Sequence, residues 1–231
     1  MPISNAGRLW FLLASLVAHT ASAQEAGAAS SVTEPASAGD CTPDPGERLH
    51  DGFFARSAPG LAFFVATVED HGSAPRRSGV RGIGQGATLM LGGTPFPGLV
   101  IGGMAFTARI DPVFVEEGRR VSPDDDSVKL TLLHLGPFVD WYPDPRRGFH
   151  VQASASFAAQ VESDTKGNPL EPSAIGGAFA LGAGYEWFLG GEFSLGGKAG
   201  VAFGGLRRNA PEGDESSLFL IPELALTATY H

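Results

Sequence analysis

The sequence predicts an all-β protein: an eight-stranded antiparallel up-and-down transmembrane β-barrel, preceded by a cleaved signal peptide and a disordered linker. Three observations predict it. Charged residues make up only 18% of the chain while Gly reaches 32 and Phe 16, the bias of short alternating strands rather than of long helices. Eight segments of strand length follow one another from about Asp51, each able to supply the roughly 9–11 tilted residues that cross a bilayer. The links between these segments alternate between long and short.

The N-terminus comes first. Arg8 is followed by the apolar run Leu9–Val17 and then by Ala21-Ser22-Ala23-Gln24. A basic residue, a short apolar core and a small-x-small site define a secretory signal peptide over 1–23, with the mature chain starting at Gln24. The run is too short to span a bilayer as a helix. Residues 24–50 consist mainly of Ala, Ser, Glu, Pro, Gly and Asp, with almost no large apolar side chain. Such a stretch buries too little surface to offset its ordering entropy and reads as a flexible linker. It holds the single cysteine, Cys41, which allows no intramolecular disulfide. Cys41 reads as a free thiol, with a cross-link between chains as the alternative.

The barrel is expected over 51–231, with strands near 52–68, 79–91, 98–110, 127–142, 148–162, 174–188, 192–206 and 217–230. Polar loops Glu69–Ser78, Asp111–Asp126, Ser163–Ser173 and Arg207–Ser216 follow the odd segments. Tight links, Gly92–Pro97, Pro143–Arg147 and Leu189–Gly191, follow the even ones, and their Pro and Gly are turn residues. Long and short links alternating along an even number of strands match an outer-membrane barrel, with loops outside and turns in the periplasm.

Period-two alternation assigns faces. In 148–162, Phe149, Val151, Ala153, Ala155, Phe157, Ala159 and Val161 oppose His150, Gln152, Ser154, Ser156, Ala158, Gln160 and Glu162. In 192–206, Phe193, Leu195, Ala199, Val201 and Phe203 oppose Glu192, Ser194, Lys198 and several glycines. In 217–230, Leu218, Leu220, Leu224, Leu226, Ala228 and Tyr230 share one face. Polar faces rich in Gly, Ala and Ser suit a cramped barrel interior, so the bulky apolar side chains are expected to face lipid. The segment 79–91 allows either register, and 127–142 changes parity near Leu132 and Leu133, which predicts a bulge.

Aromatic residues fall at strand ends beside the short turns: Phe53 and Phe54, Trp141 and Tyr142, Phe149, Tyr185, Trp187, Phe193 and Tyr230. They are expected to form an interfacial aromatic girdle. With apolar faces outward, Arg56, Asp140, Glu186, Lys198 and Glu223 point inward. Ionisable groups in a narrow interior are costly unless paired, so these five are expected to form an ion-pair network. Eight strands enclose space that side chains fill, which argues against an aqueous pore.

The formal net charge of −9 argues against nucleic acid as a partner and against docking on anionic lipid through a polybasic patch. Acidic stretches such as Pro123–Asp126 and Glu212–Glu215 read as solvated loop surface. Asp70-His71-Gly72-Ser73 places acid, imidazole and hydroxyl on the first loop, yet sequence neighbours rarely supply the geometry of a nucleophile, its base and an orienting group. His134, His150 and Asp140 lack metal-ligand spacing. The runs Gly79–Gly86 and Gly176–Gly184 do not lead from a strand into a helix and are not phosphate-binding loops. No catalytic residue, cofactor site or metal site is therefore assigned.

The eight amphipathic strands, the short turns and a last strand with Tyr230 near its end resemble the small outer-membrane barrels, the OmpA transmembrane domain and OmpX-like proteins. The resemblance covers about residues 51–231 and is architectural. It implies a bacterial outer-membrane location, a monomer, outer-membrane lipid as a partner, and handling by the barrel-assembly machinery. In those families the final residue is often aromatic and contributes to recognition by that machinery. Here the aromatic is penultimate and His231 follows it. The pieces Gly136–Pro145 and Gly182–Trp187 also look like those of a myxobacterial-type exported family. The Asp70–Ser73 loop looks faintly like that of outer-membrane lipid A acyltransferases. Three functions stay open: a structural, surface-interaction or adhesive barrel acting through four extracellular loops, a lipid- or small-molecule-binding barrel (in the membrane or lipocalin-like), and a loop-based enzyme.

Overall fold

The computed structural model describes residues 52–70, 76–116, 119–121, 129–164, 173–190, 192–210 and 213–231. The expected signal peptide, the expected linker with Cys41 and the His71-Gly72-Ser73 tip of the first loop lie outside the described residues. All regular elements among the described residues are strands: β1 (Gly52–Asp70), β2 (Arg76–Phe96), β3 (Leu99–Glu116), β4 (Arg119–Val121), β5 (Lys129–Trp141), β6 (Phe149–Ser163), β7 (Ala174–Gly190), β8 (Phe193–Ala210) and β9 (Gly213–Tyr230).

The eight long strands coincide with the eight expected segments, and most run further. β8 and β9 stay paired from Phe193 opposite Tyr230 to Ala210 opposite Gly213, so most of the expected loop Arg207–Ser216 is a hairpin arm. β3 likewise enters the expected loop Asp111–Asp126, where the short β4 pairs with it from Phe114 opposite Val121. Polar composition marks where a strand leaves the membrane, whereas the ladder continues as long as both neighbours supply partners.

Consecutive long strands pair antiparallel, and β1 also pairs with β9, so the sheet closes on itself. Following one row of partners shows the stagger. Thr67 faces Leu218, then Gly205, Gly177, Phe157, Leu135, Ala105 and Leu89, and the row returns to β1 at Ser57, ten residues below its start. Ten residues at ~3.3 Å against eight strands at ~4.7 Å give a tilt of about 41° and a radius of about 8 Å. Side chains fill a cylinder that narrow.

The outer wall carries Leu61, Val65, Leu89, Leu91, Leu133, Leu135, Phe157, Phe179, Leu181, Phe203, Leu220 and Leu224, with Leu226 the most exposed at 73%. A continuous apolar wall of this size is a membrane surface. No described helix could cross a membrane; the strands do so. Phe53, Trp141, Phe149, Tyr185, Trp187 and Phe193 are exposed at the turn end, where Phe193 packs edge-on against Tyr230 with centroids 5.3 Å apart and Tyr185 meets Trp187 at 5.0 Å. Phe54 and Tyr142 depart from the expected girdle: both are buried inside, since each is sequence-adjacent to an outward aromatic and alternation turns it inward.

The structure selects one of the two registers left open for β2 and corrects the expectation for β5. In β2, Val80, Thr88 and Met90 are buried inside while Ile83, Leu89 and Leu91 face out. The expected bulge in β5 is absent, because its pairings with β3 and β6 run without a shift. The parity change arises because both faces of β5 are apolar: Leu130 and Leu132 point in, Leu133 and Leu135 out. Bulky apolar side chains are thus not confined to lipid. Phe64, Phe106, Ile110, Leu130, Leu132, Leu206, Phe219 and Ile221 form a buried layer inside the half nearer the loops.

Candidate functional site

The inner positions nearest the turns carry the densest polar chemistry of the described residues. Arg56 points inward from β1 and is 2% exposed. Its Nη1 donates to Asp140 Oδ2 of β5 at 2.6 Å and its Nε to Thr229 Oγ1 of β9 at 3.0 Å. Its Nη2 donates to the Tyr142 hydroxyl at 2.5 Å and lies 2.9 Å from Glu186 Oε1 of β7. The guanidinium carbon also stands 4.9 Å from the Phe54 ring centroid, a cation–π distance. One planar fork is thereby engaged by two carboxylates and two hydroxyls, the geometry arginine suits better than lysine.

Both carboxylates have further partners. Glu186 accepts from Thr229 Oγ1 at 2.6 Å, Ser194 Oγ at 2.9 Å and the Tyr142 hydroxyl at 3.3 Å. Asp140 Oδ1 lies 2.8 Å from His150 Nδ1 of β6, whose ring stacks on Tyr142 at 5.1 Å. A Cβ at Gly184 would fall 2.3 Å from His150 Nε2, so the glycine leaves room for that ring. Tyr142 is held by its backbone N–H donating to the Gly98 carbonyl at 2.7 Å. Gly98 has φ +81°, a conformation the β2–β3 turn reaches cheaply with glycine.

His231 covers the turn end of this cluster. Its backbone N–H donates to the Glu192 carbonyl at 2.9 Å, and its ring lies 5.3 Å from Phe188 and 5.8 Å from Phe54. Its Nε2 is 3.1 Å from Ser194 Oγ and 3.5 Å from Glu186 Oε2. Serine, histidine and glutamate therefore meet, but on one imidazole nitrogen. A catalytic triad needs the base to face the nucleophile with one nitrogen and the acid with the other.

Of the five inward charges, Arg56, Asp140 and Glu186 meet in this cluster. Lys198 and Glu223 form a separate pair higher up, with Nζ donating to Oε1 at 2.8 Å. A third group lies toward the loops, where Arg208 Nη2 donates to Glu162 Oε1 at 2.7 Å and Nη1 stands 3.7 Å from Glu215 Oε2. Sequence reasoning missed Arg208 and Glu215 because the segment read as a loop; extending the β8 alternation from Lys198 places Arg208 inward. Ser194, Thr229 and His231 were also missed, since nothing in their spacing marks them as partners of Glu186.

His134 does not join His150 and Asp140. It is buried in the apolar layer between Phe106 and Phe219, at centroid distances of 5.1 and 5.7 Å, and its Nε2 has no hydrogen-bond partner. Among the described residues no group of three His, Cys, Asp or Glu side chains is placed to hold a metal ion.

No protein-family model matches the sequence, and no curated protein matches it. Solved structures do match in architecture. Neisserial surface protein A is 14% identical, with 78% of this chain and 96% of that one covered and a TM-score of 0.43. OprG from Pseudomonas aeruginosa is 11% identical, covering 79% and 98%, with a TM-score of 0.44. Ail, the attachment invasion locus protein of Yersinia pestis, is 10% identical, covering 77% and 99%, with a TM-score of 0.33. At such identities the likeness concerns architecture. The closed sheet, its apolar outer wall and the turn-end aromatics are those of a bacterial outer-membrane barrel, and that membrane is where the chain resides.

Proposed function

We propose that this protein is a closed outer-membrane barrel that anchors and presents its extracellular connections to a surface partner, rather than a channel or an enzyme. The observation that carries this reading is the blocked interior. Arg56 spans the lumen from β1 to Asp140 and Glu186, and the layer of Phe64, Phe106, Leu132 and Phe219 fills it above. Ions would have to displace both, and the cluster's side chains are engaged by one another at 2.5–3.3 Å. Such a plug stiffens the scaffold on which loops are displayed, the usual division between scaffold and recognition surface.

Two measurements test the reading. Purified protein in planar bilayers should give no steady conductance, and cells in which 112–127 is replaced by a short Gly-Ser link should lose a surface-binding phenotype while keeping the folded barrel. A stable open channel, or surface binding that survives replacement of all four outer connections, would overturn it.

A further inference from the structure

One patch on the outer wall has chemistry unlike the rest of that wall. Outward positions of β3 run Ile101, Gly103, Ala105, Thr107, Arg109 and Asp111 toward the loops. Arg109 stands opposite Gln85 on β2 and Thr131 on β5, so three polar side chains lie in one row on the outside. One pleat nearer the loops, Asp111 pairs with Lys129 of β5 and stands opposite Ile83, two residues from Arg81. Arg81 and Arg109 are exposed, and among the described residues neither is ion-paired to a carboxylate. Among the described residues three cations and one carboxylate thus make a net positive patch, on a chain whose formal charge is −9.

The register places this patch at the level where the far wall still carries Ile175, Phe203 and Leu220. The outward apolar run therefore ends lower on β3 than on β7 and β9, where Ile175 and Leu218 continue it. A lipid-facing arginine is costly at the bilayer midplane and tolerated at the interface, where its stem lies on apolar surface and its head reaches anionic groups. Below Arg109 the wall is low: Thr107, Ala105 and Gly103 lie between Leu89 and Leu91 of β2 and Leu133 and Leu135 of β5. A Cβ added at Gly103 would meet nothing within 4 Å.

We propose that Arg81, Arg109 and Lys129 form an outer-wall site for the phosphorylated headgroup of a surface-leaflet lipid, whose acyl chain lies along the Gly103–Thr107 column. Guanidinium forks match phosphate oxygens in pairs. Asp111 steers Lys129 toward the two arginines and limits the affinity by its own charge.

The folded protein in zwitterionic detergent, mixed with bisphosphorylated lipid A and read by native mass spectrometry, tests this. Dephosphorylated lipid A should leave no adduct, and millimolar inorganic phosphate should not displace the phosphorylated form. The double variant Arg81→Gln, Arg109→Gln should bind about 25-fold more weakly, at roughly fivefold per cation near a membrane surface. Arg207→Gln, an exposed outward position on β8, should bind within about twofold of the parent on the same scale. Asp111→Asn should tighten binding. Unchanged affinity in the double variant, an equal loss from Arg207→Gln, weaker binding by Asp111→Asn, an adduct with the dephosphorylated lipid, or displacement by inorganic phosphate would each overturn the assignment. Heat-dependent migration in SDS verifies that every variant is folded.

Discussion

Arg56 and Asp140 stand 84 residues apart in the chain and meet at 2.6 Å, with neither side chain exposed at all. They are inner residues of β1 and β5, three strands apart around the cylinder, and the guanidinium bridges the lumen between them. Removing one partner strands the other charge in a site without bulk water. Asp140→Ala should therefore destabilise the barrel by about 3–5 kcal/mol, measured by urea unfolding in lipid vesicles. A loss below about 1 kcal/mol would show that water replaces the carboxylate.

The Lys198–Glu223 pair gives a graded comparison. Glu223 keeps 18% of its side-chain surface exposed, so Lys198→Met should cost less than Asp140→Ala in the same vesicles. Lipid-facing Leu226→Ala should cost less again, because lipid refills the gap. Leu226→Arg should cost about 2–4 kcal/mol if the position lies near the midplane. A neutral Lys198→Met beside a damaging Leu226→Ala would exchange inside and outside.

Gly148 ties a turn to the cluster. The Glu186 N–H donates to its carbonyl at 3.0 Å, and a Cβ at Gly148 would fall 1.7 Å from the Glu186 carbonyl oxygen. Gly148→Ala must push β6 away from β7 at Glu186, an overpacking cost of about 1–3 kcal/mol. The same unfolding assay should find Gly103→Ala nearly neutral. Equal stability of the two variants would refute the close approach at Gly148.

Topology is testable with cysteines. In a Cys41→Ser background, Arg77→Cys near the β1–β2 loop should react with an impermeant maleimide on whole cells. Asp144→Cys in the β5–β6 turn should react only after the outer membrane is permeabilised. The reverse pattern would invert the barrel. An unboiled sample should also migrate differently from a boiled one in SDS, as closed hydrogen-bonded barrels do.

Much of the wall was legible because alternation is local. Phe149 to Val161 facing lipid and His150 to Glu162 facing inward follow from period two alone, and the structure has them so. The method failed where both faces had similar chemistry: Leu130, Leu132, Leu133 and Leu135 look alike, and a parity change appeared where the ladder is regular. It also placed Phe54 and Tyr142 with their outward neighbours, because composition at a strand end does not separate adjacent residues.

The sequence by itself determined the strand count, the outward apolar face and the inward placement of Arg56, Asp140, Glu186, Lys198 and Glu223. Each depends on residues a few positions apart. Only the tertiary structure decided which inward charges meet: Arg56 with Asp140 and Glu186, Lys198 with Glu223, Arg208 with Glu162. Those pairings depend on the ten-residue stagger that closes β1 onto β9, and closure is a condition on all eight strands together. The same stagger brings Ser194, Thr229 and His231 to Glu186, and the strand order sets Arg81, Arg109 and Lys129 on three neighbouring strands of the outer wall, although no segment contains the distance between them.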